Sequence, residues 1–201
     1  MKVYGDRGSG NCQKVGITAD FLKLPYEWVD IDIMKNESRT GAFLKKSAMG
    51  QVPVIELDDG RCLAQSNAII RYLARGSTLL PDDPFTQAKI DELLFWEQYS
   101  HEPYVATSRY HMVYLGRTRD EREPMRVERG EKALDLMQHL IKGRMWFVGD
   151  SLSVADIALL AYTRLAHEGG FDLASRPDVG AWVMRAEMAV GLPPAGVGVG
   201  L

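Results

Sequence analysis

Apolar positions along this chain follow two different periods, and the change of period divides it. As far as residue 75, short β-branched and aromatic runs sit between helical spacings. Val3-Tyr4 starts a strand, and Gly5 to Gly10 is a glycine-rich loop. Asn11 to Leu24 places Val15, Ala19 and Leu22 on one helical face. Tyr26 to Ile33 carries Trp28, Val29, Ile31 and Ile33, which favour a strand. Ser38 to Lys46 reads as a short helix. Val52 to Leu57 is a third strand, Asp58-Asp59-Gly60 a hairpin turn, and Arg61 to Ala64 the returning strand. Ser66 to Arg75 is a helix with Ile69, Ile70 and Leu73 apolar. The order is β-α-β-α-β-β-α. A helix in the first crossover predicts a parallel pair for the first two strands.

Leu79-Leu80-Pro81-Asp82-Asp83-Pro84 interrupts any regular element and reads as a linker. Beyond it only helical periods remain. Helices are expected over Phe85 to Tyr99, Tyr104 to Leu115, Glu121 to Ile141 and Ser153 to Ala166, with a last one from Arg176 to about Val190. Gly191 to Leu201, rich in glycine and proline, reads as irregular. Three units follow: 1-78 as a small α/β domain, 79-84 as linker and 85-201 as an all-helical domain. Ser153-Val154-Ala155-Asp156 has the spacing of a helix N-terminal cap, with Leu152 and Ile157 at the flanking apolar positions.

Composition narrows the function classes. The 201 residues are 46% hydrophobic and 25% charged, which fits a soluble globular protein. A net charge of −3 argues against a nucleic-acid binder held by phosphate contacts. No apolar run approaches the roughly 20 residues needed to span a bilayer. The N-terminus reads as a strand, not a secretory signal. Cys12 and Cys62 form neither a disulfide framework nor a metal cluster, so no metal is expected. His101, His139 and His167 show no metal spacing. A reducing cytoplasm is the expected compartment.

Two short stretches carry the chemistry. Gln51-Val52-Pro53-Val54 puts a proline at the entrance of a strand, where its missing N–H costs no ladder bond. Gln65-Ser66 opens a helix, and a helix N-terminus is a seat for a carboxylate. A strand end beside such a helix suits a small acidic peptide. Earlier, Ser9-Gly10-Asn11-Cys12 lies at the mouth of the first helix, where a hydroxyl, an amide and the helix dipole can stabilise an anion.

Taken with the linker and the Ser153-to-Asp156 cap, these stretches resemble cytosolic glutathione transferases over nearly the whole length. The Ser9-to-Val15 loop is similar to that of bacterial members and of the theta, zeta and nu classes. The resemblance implies an α/β thioredoxin-like N-terminal domain followed by an all-α C-terminal domain. It implies glutathione as co-substrate and a small electrophile or peroxide as second substrate, with detoxification as the general role. A homodimer is implied, with contributions from Ile69 to Arg75 and Ile90 to Gln98. Glutathione-dependent peroxidase or disulfide-reductase activity, or a noncatalytic module on the same fold, are the alternatives.

By the same resemblance, Ser9, Asn11 and Cys12 are three competing catalytic candidates. Ser9 matches the serine of theta-like and zeta-like enzymes, Asn11 the partner residue of nu-like ones, and Cys12 a mixed-disulfide cysteine. Against them stand helix capping for Ser9 and Asn11, and simple apolar packing for Cys12. Val52 is implied to pair its backbone with the cysteinyl part of glutathione through a cis Val52–Pro53 bond. Gln65 and Ser66 would hold the γ-glutamyl end, with Gln65 standing where many members have Glu. Arg39 or Lys35 would meet the glycyl carboxylate. Tyr104, Arg109, Tyr110 and Tyr114 are expected to line an electrophile pocket between the domains, with core packing as the competing role of the tyrosines.

Overall fold

The structure is a computed structural model, and it describes residues 1–195. The end of the irregular tail expected from Gly191, residues 196–201, lies outside the described residues. The chain forms two compact units, 1–80 and 81–201.

The first unit is a four-stranded sheet with helices. Its strands are β1 (Lys2–Gly5), β2 (Glu27–Asp30), β3 (Val54–Glu56) and β4 (Cys62–Ala64), in the order β2-β1-β3-β4. β1 and β2 are parallel with Val3 opposite Trp28, as the helical crossover requires. β3 runs antiparallel to β1 and to β4, with Val54 opposite both Tyr4 and Ala64. Val3, Val54 and Ile55 are fully buried. The helices are α1 (Gly10–Phe21), α2 (Gly41–Leu44) and α3 (Ser66–Leu73). α1 packs on α3.

One expected helix breaks in two. Glu37–Arg39 is a single 3₁₀ turn, and α2 starts afresh after Thr40. Thr40 is extended, and its hydroxyl accepts from Phe43 N–H at 3.3 Å. The threonine therefore acts as an N-cap that restarts the helix.

The second unit is helical: α4 (Pro84–Trp96), α5 (Glu102–Arg109), α6 (Pro124–Ile141), α7 (Val154–Thr163) and α8 (Pro177–Ala189). The sequence reading left a gap between its second-unit helices at 100–103. The helix instead runs through, by a widened π turn at Glu97–His101 into α5. Pro103 sits in the first turn of α5 and cannot donate to the preceding turn. A local π turn absorbs that missing bond. A second π turn, Tyr110–Tyr114, ends the segment. α6 starts at Pro124, whose fixed φ suits a first helical position, and not at Glu121. Gly130 lies inside α6, where an added Cβ would come within 2.4 Å of the Phe171 ring. Close approach of that ring accounts for a glycine in a helix interior.

All ten residues of α7 are buried, which makes it the axis of this unit. Asp156 stands in its first turn. The carboxylate accepts from Ser153 N–H at 3.0 Å and from the Ser153 hydroxyl at 2.9 Å. It also accepts from Phe147 N–H at 3.1 Å and from Trp182 Nε1 at 3.0 Å. One carboxylate thus ties the helix start to the preceding loop and to α8. Burial raises its pKa, and the donors oppose that shift. Two further cross-links fix α8. Gln138 Oε1 accepts from the N–H groups of Asp178 and Val179, both at 3.1 Å, and so caps the α8 N-terminus. Arg164 and Glu187 form a buried ion pair at 2.8 Å.

Asp156→Ala would leave three buried N–H donors without their acceptor. The expected loss is about 3–5 kcal/mol of stability. Urea denaturation of the variant checks this, and an unshifted midpoint would refute the assignment.

Candidate active site

Ser9 is the N-cap of α1, with extended backbone at φ −77° and ψ 123°. The first intrahelical bond at this end runs from Gln13 N–H to Ser9 O at 2.9 Å. The N–H groups ahead of it belong to the anion-attracting end of the helix. Ser9 and Asn11 are half-buried, so both are open to a ligand.

Cys12, one residue further on, is different. It is fully buried beneath Gly5, where an added Cβ would lie 3.1 Å from Sγ. Burial pushes the thiol up to about 12, although the Ser9 side chain and the Asp6 backbone act in the opposite direction. At neutral pH such a thiol is protonated and inert. The environment of Cys12 is that of a small core side chain.

α3 brings the second half of the site. Its first residue, Ser66, is buried, and its hydroxyl donates to Asn11 Oδ1 at 3.1 Å. This bond joins the N-termini of α1 and α3 across 55 residues of sequence. A parallel link lies one turn deeper. Lys14 is fully buried and donates to Asn67 Oδ1 at 3.3 Å. Gln65, ahead of Ser66, has a backbone φ of 71°. A non-glycine residue in that region is strained, and such strain gathers where chain and ligand must meet.

The Val52–Pro53 bond is cis. The β1–β3 ladder starts at Val54, so Val52 lies beyond the paired part of the strand. Its backbone is therefore placed to accept a short extended peptide. Just before it, Gly50 is buried with φ +60°. A Cβ there would meet Arg39 Nη1 at 2.8 Å and Ser38 O at 3.0 Å. Arg39 lies against this turn and donates to Met49 O at 3.1 Å. Lys35, the other cation considered for a carboxylate, pairs with Asp32 at 3.0 Å. Met49 was not singled out from the sequence, yet its sulfur accepts from Gln65 Nε2 at 3.1 Å. Its contacts join residues 16 and 10 positions away, so no local pattern marks it.

In the first unit these contacts join Asn11 to Ser66, and link Gln65 and Arg39 through Met49 just ahead of Val52 and Pro53. In the second unit the four electrophile candidates have these partners. Tyr110 and Tyr114 stack at 5.3 Å with ring planes 26° apart. Arg109 is buried and donates to Glu168 at 2.6 Å. Tyr104 accepts from Arg129 at 2.7 Å. Among the described residues, no helix is long and apolar enough to cross a membrane.

Comparison with known families accounts for this arrangement. The glutathione S-transferase N-terminal domain model matches residues 3–77, and the C-terminal domain model of the same name matches residues 95–187. The chain belongs to the glutathione S-transferase family. A glutathione S-transferase structure from Pseudomonas fluorescens is 45% identical, with a TM-score of 0.92 over 97% of this chain and 98% of that one. Glutathione S-transferase PM239X14 of Arabidopsis thaliana is 28% identical, over 90% of this chain and 89% of its own length. Glutathione S-transferase theta-1 of Bos taurus is also 28% identical, over 95% and 84%. A glutathione transferase homologue from Drosophila mojavensis, solved with bound glutathione, is 25% identical with a TM-score of 0.81, over 94% of each chain. The α/β N-terminal unit and the all-helical C-terminal unit are the two parts that these family models match.

Proposed function

We propose that Ser9 and Asn11 hold the glutathione thiolate at the mouth of α1. A free thiol has a pKa of about 8.5, so catalysis at neutral pH needs its anion stabilised. The Ser9 hydroxyl donates to the sulfur. Asn11 assists through its amide N–H group, because its Oδ1 already accepts from Ser66. The helix end adds its dipole. This role assignment rests above all on the half-buried Ser9 at the N-cap, one turn from a cysteine whose thiol is held protonated.

Glutathione itself lies along Val52, with its cysteinyl backbone continuing the strand beyond the cis Val52–Pro53 bond. The γ-glutamyl carboxylate sits on the α3 N-terminus at Gln65 and Ser66, and Arg39 meets the glycyl carboxylate. The electrophile contacts the stacked pair Tyr110 and Tyr114. Arg109 and Tyr104 serve the helical unit instead, through Glu168 and Arg129. Both cysteines are free thiols, which suits a cytoplasmic enzyme of detoxification.

A homodimer is part of this reading. Phe95 and Tyr99 stand one turn apart on α4 and its extension, 74% and 82% exposed. This reading places them in the surface that a second copy covers. Light scattering should give twice the chain mass, and a monomer mass at micromolar concentration would reject the dimer.

Kinetics of three variants test the roles. Ser9→Ala should lower kcat about 10²-fold, in the range of one lost transition-state donor. Asn11→Ala should lower it less. Cys12→Ala should keep near-normal kcat in the folded fraction. Full activity in a Ser9→Ala, Asn11→Ala double variant, or loss confined to Cys12→Ala, would overturn the assignment.

A further inference from the structure

Met49 contacts Arg39 through its backbone and Gln65 through its side chain. Its carbonyl accepts from Arg39 Nη1 at 3.1 Å, and its sulfur accepts from Gln65 Nε2 at 3.1 Å. It is also open to solvent, with 47% of its surface exposed. Its backbone position is fixed, because it precedes the buried, positive-φ Gly50, against which Arg39 packs. A thioether is a weak acceptor. Gln65 can therefore leave the sulfur at little cost when a carboxylate arrives.

We propose that Met49 is a modification site of the glutathione pocket, where hydroperoxide oxidation to the sulfoxide weakens glutathione binding. The inference rests on the placing of glutathione at Gln65. A sulfur lone pair attacks the distal oxygen of the hydroperoxide, and the O–O bond breaks. The sulfur gains one oxygen and loses two electrons, and the proton of the transferred hydroxyl passes to the departing alkoxide, which leaves as its alcohol, or as water from hydrogen peroxide. The product is polar where the thioether was not.

Two effects follow at Gln65. The new oxygen is a strong acceptor on the atom that already faces Nε2, so the carboxamide is held by the protein and not left for the ligand. The added atom also enters the space between residue 49 and residue 65, which is set by that 3.1 Å contact. Both effects act on binding and neither touches Ser9 or Asn11. The expected signature is therefore a raised Kd with kcat intact at saturating glutathione.

The test uses the whole protein, treated with hydrogen peroxide, then with dithiothreitol to restore thiols, and desalted. Peptide mass spectrometry reads the oxidation at Met49 beside that at Met145 and Met188, which are 58% and 81% exposed and serve as rate references. Calorimetry then reads the affinity for glutathione. The expected result is sulfoxide at Met49 and a Kd raised about two- to tenfold, the range of one neutral hydrogen bond. The volume-matched Met49→Leu variant should bind near normally and lose nothing on peroxide treatment. A methionine sulfoxide reductase should restore the wild type. An unoxidised Met49 beside a fully oxidised Met188 would overturn the proposal. So would an unchanged Kd after oxidation, or an equal loss in Met49→Leu. Gln65→Ala in the untreated protein separates the two levels. A weakened Kd there keeps the pocket reading whatever Met49 does, and an unchanged Kd removes the reading and the inference together.

Discussion

The hydrogen bond from Ser66 Oγ to Asn11 Oδ1 is the constraint on which the site depends. It joins the N-termini of α1 and α3 inside the first unit. Each helix end alone attracts an anion weakly. Joined, the two anion-attracting ends are held at a fixed separation. The Ser66 hydroxyl donates and the Asn11 carboxamide oxygen accepts. The Lys14 to Asn67 contact repeats the link one turn deeper and keeps the two helices in register.

The sheet supplies the third fixed element. β3 lies between β1 and β4, and its ladder stops short of Val52. The unpaired strand end and the α3 N-terminus are brought together by the β3–β4 hairpin, which separates them by only a short stretch of chain. The second unit is organised by a different group. Asp156 gathers donors from a loop, a cap and Trp182, so one buried carboxylate sets where α7 and α8 stand. The chemistry in the first unit and the packing in the second are thus each tied to one polar hub.

Local signals made much of this legible. Pro53 before a strand, Asp58-Asp59-Gly60 at a turn and Gln65-Ser66 at a helix start are backbone-chemistry cues that act over a few residues. They mark the strands, the hairpin and the start of α3. Helix breaks were less visible, because they depend on one residue against a periodic background. Thr40 restarts a helix within the stretch Ser38 to Lys46, expected as one helix. Pro103 is absorbed by a π turn where spacing had suggested a gap. What could not be read were contacts between distant segments. Nothing near Arg109 points to Glu168, and nothing near Met49 points to Gln65. The burial of Cys12 is of the same kind: a cysteine in a helix's first turn looks reactive until the sheet above it is in place.

The measurement that bears most directly on this account is an ultraviolet titration of the thiolate band of glutathione bound to the wild-type protein. Stabilisation by Ser9, Asn11 and the α1 dipole predicts a thiol pKa at least one unit below the value of about 8.5 for a free thiol. A bound thiol that titrates at or above the free value would contradict it.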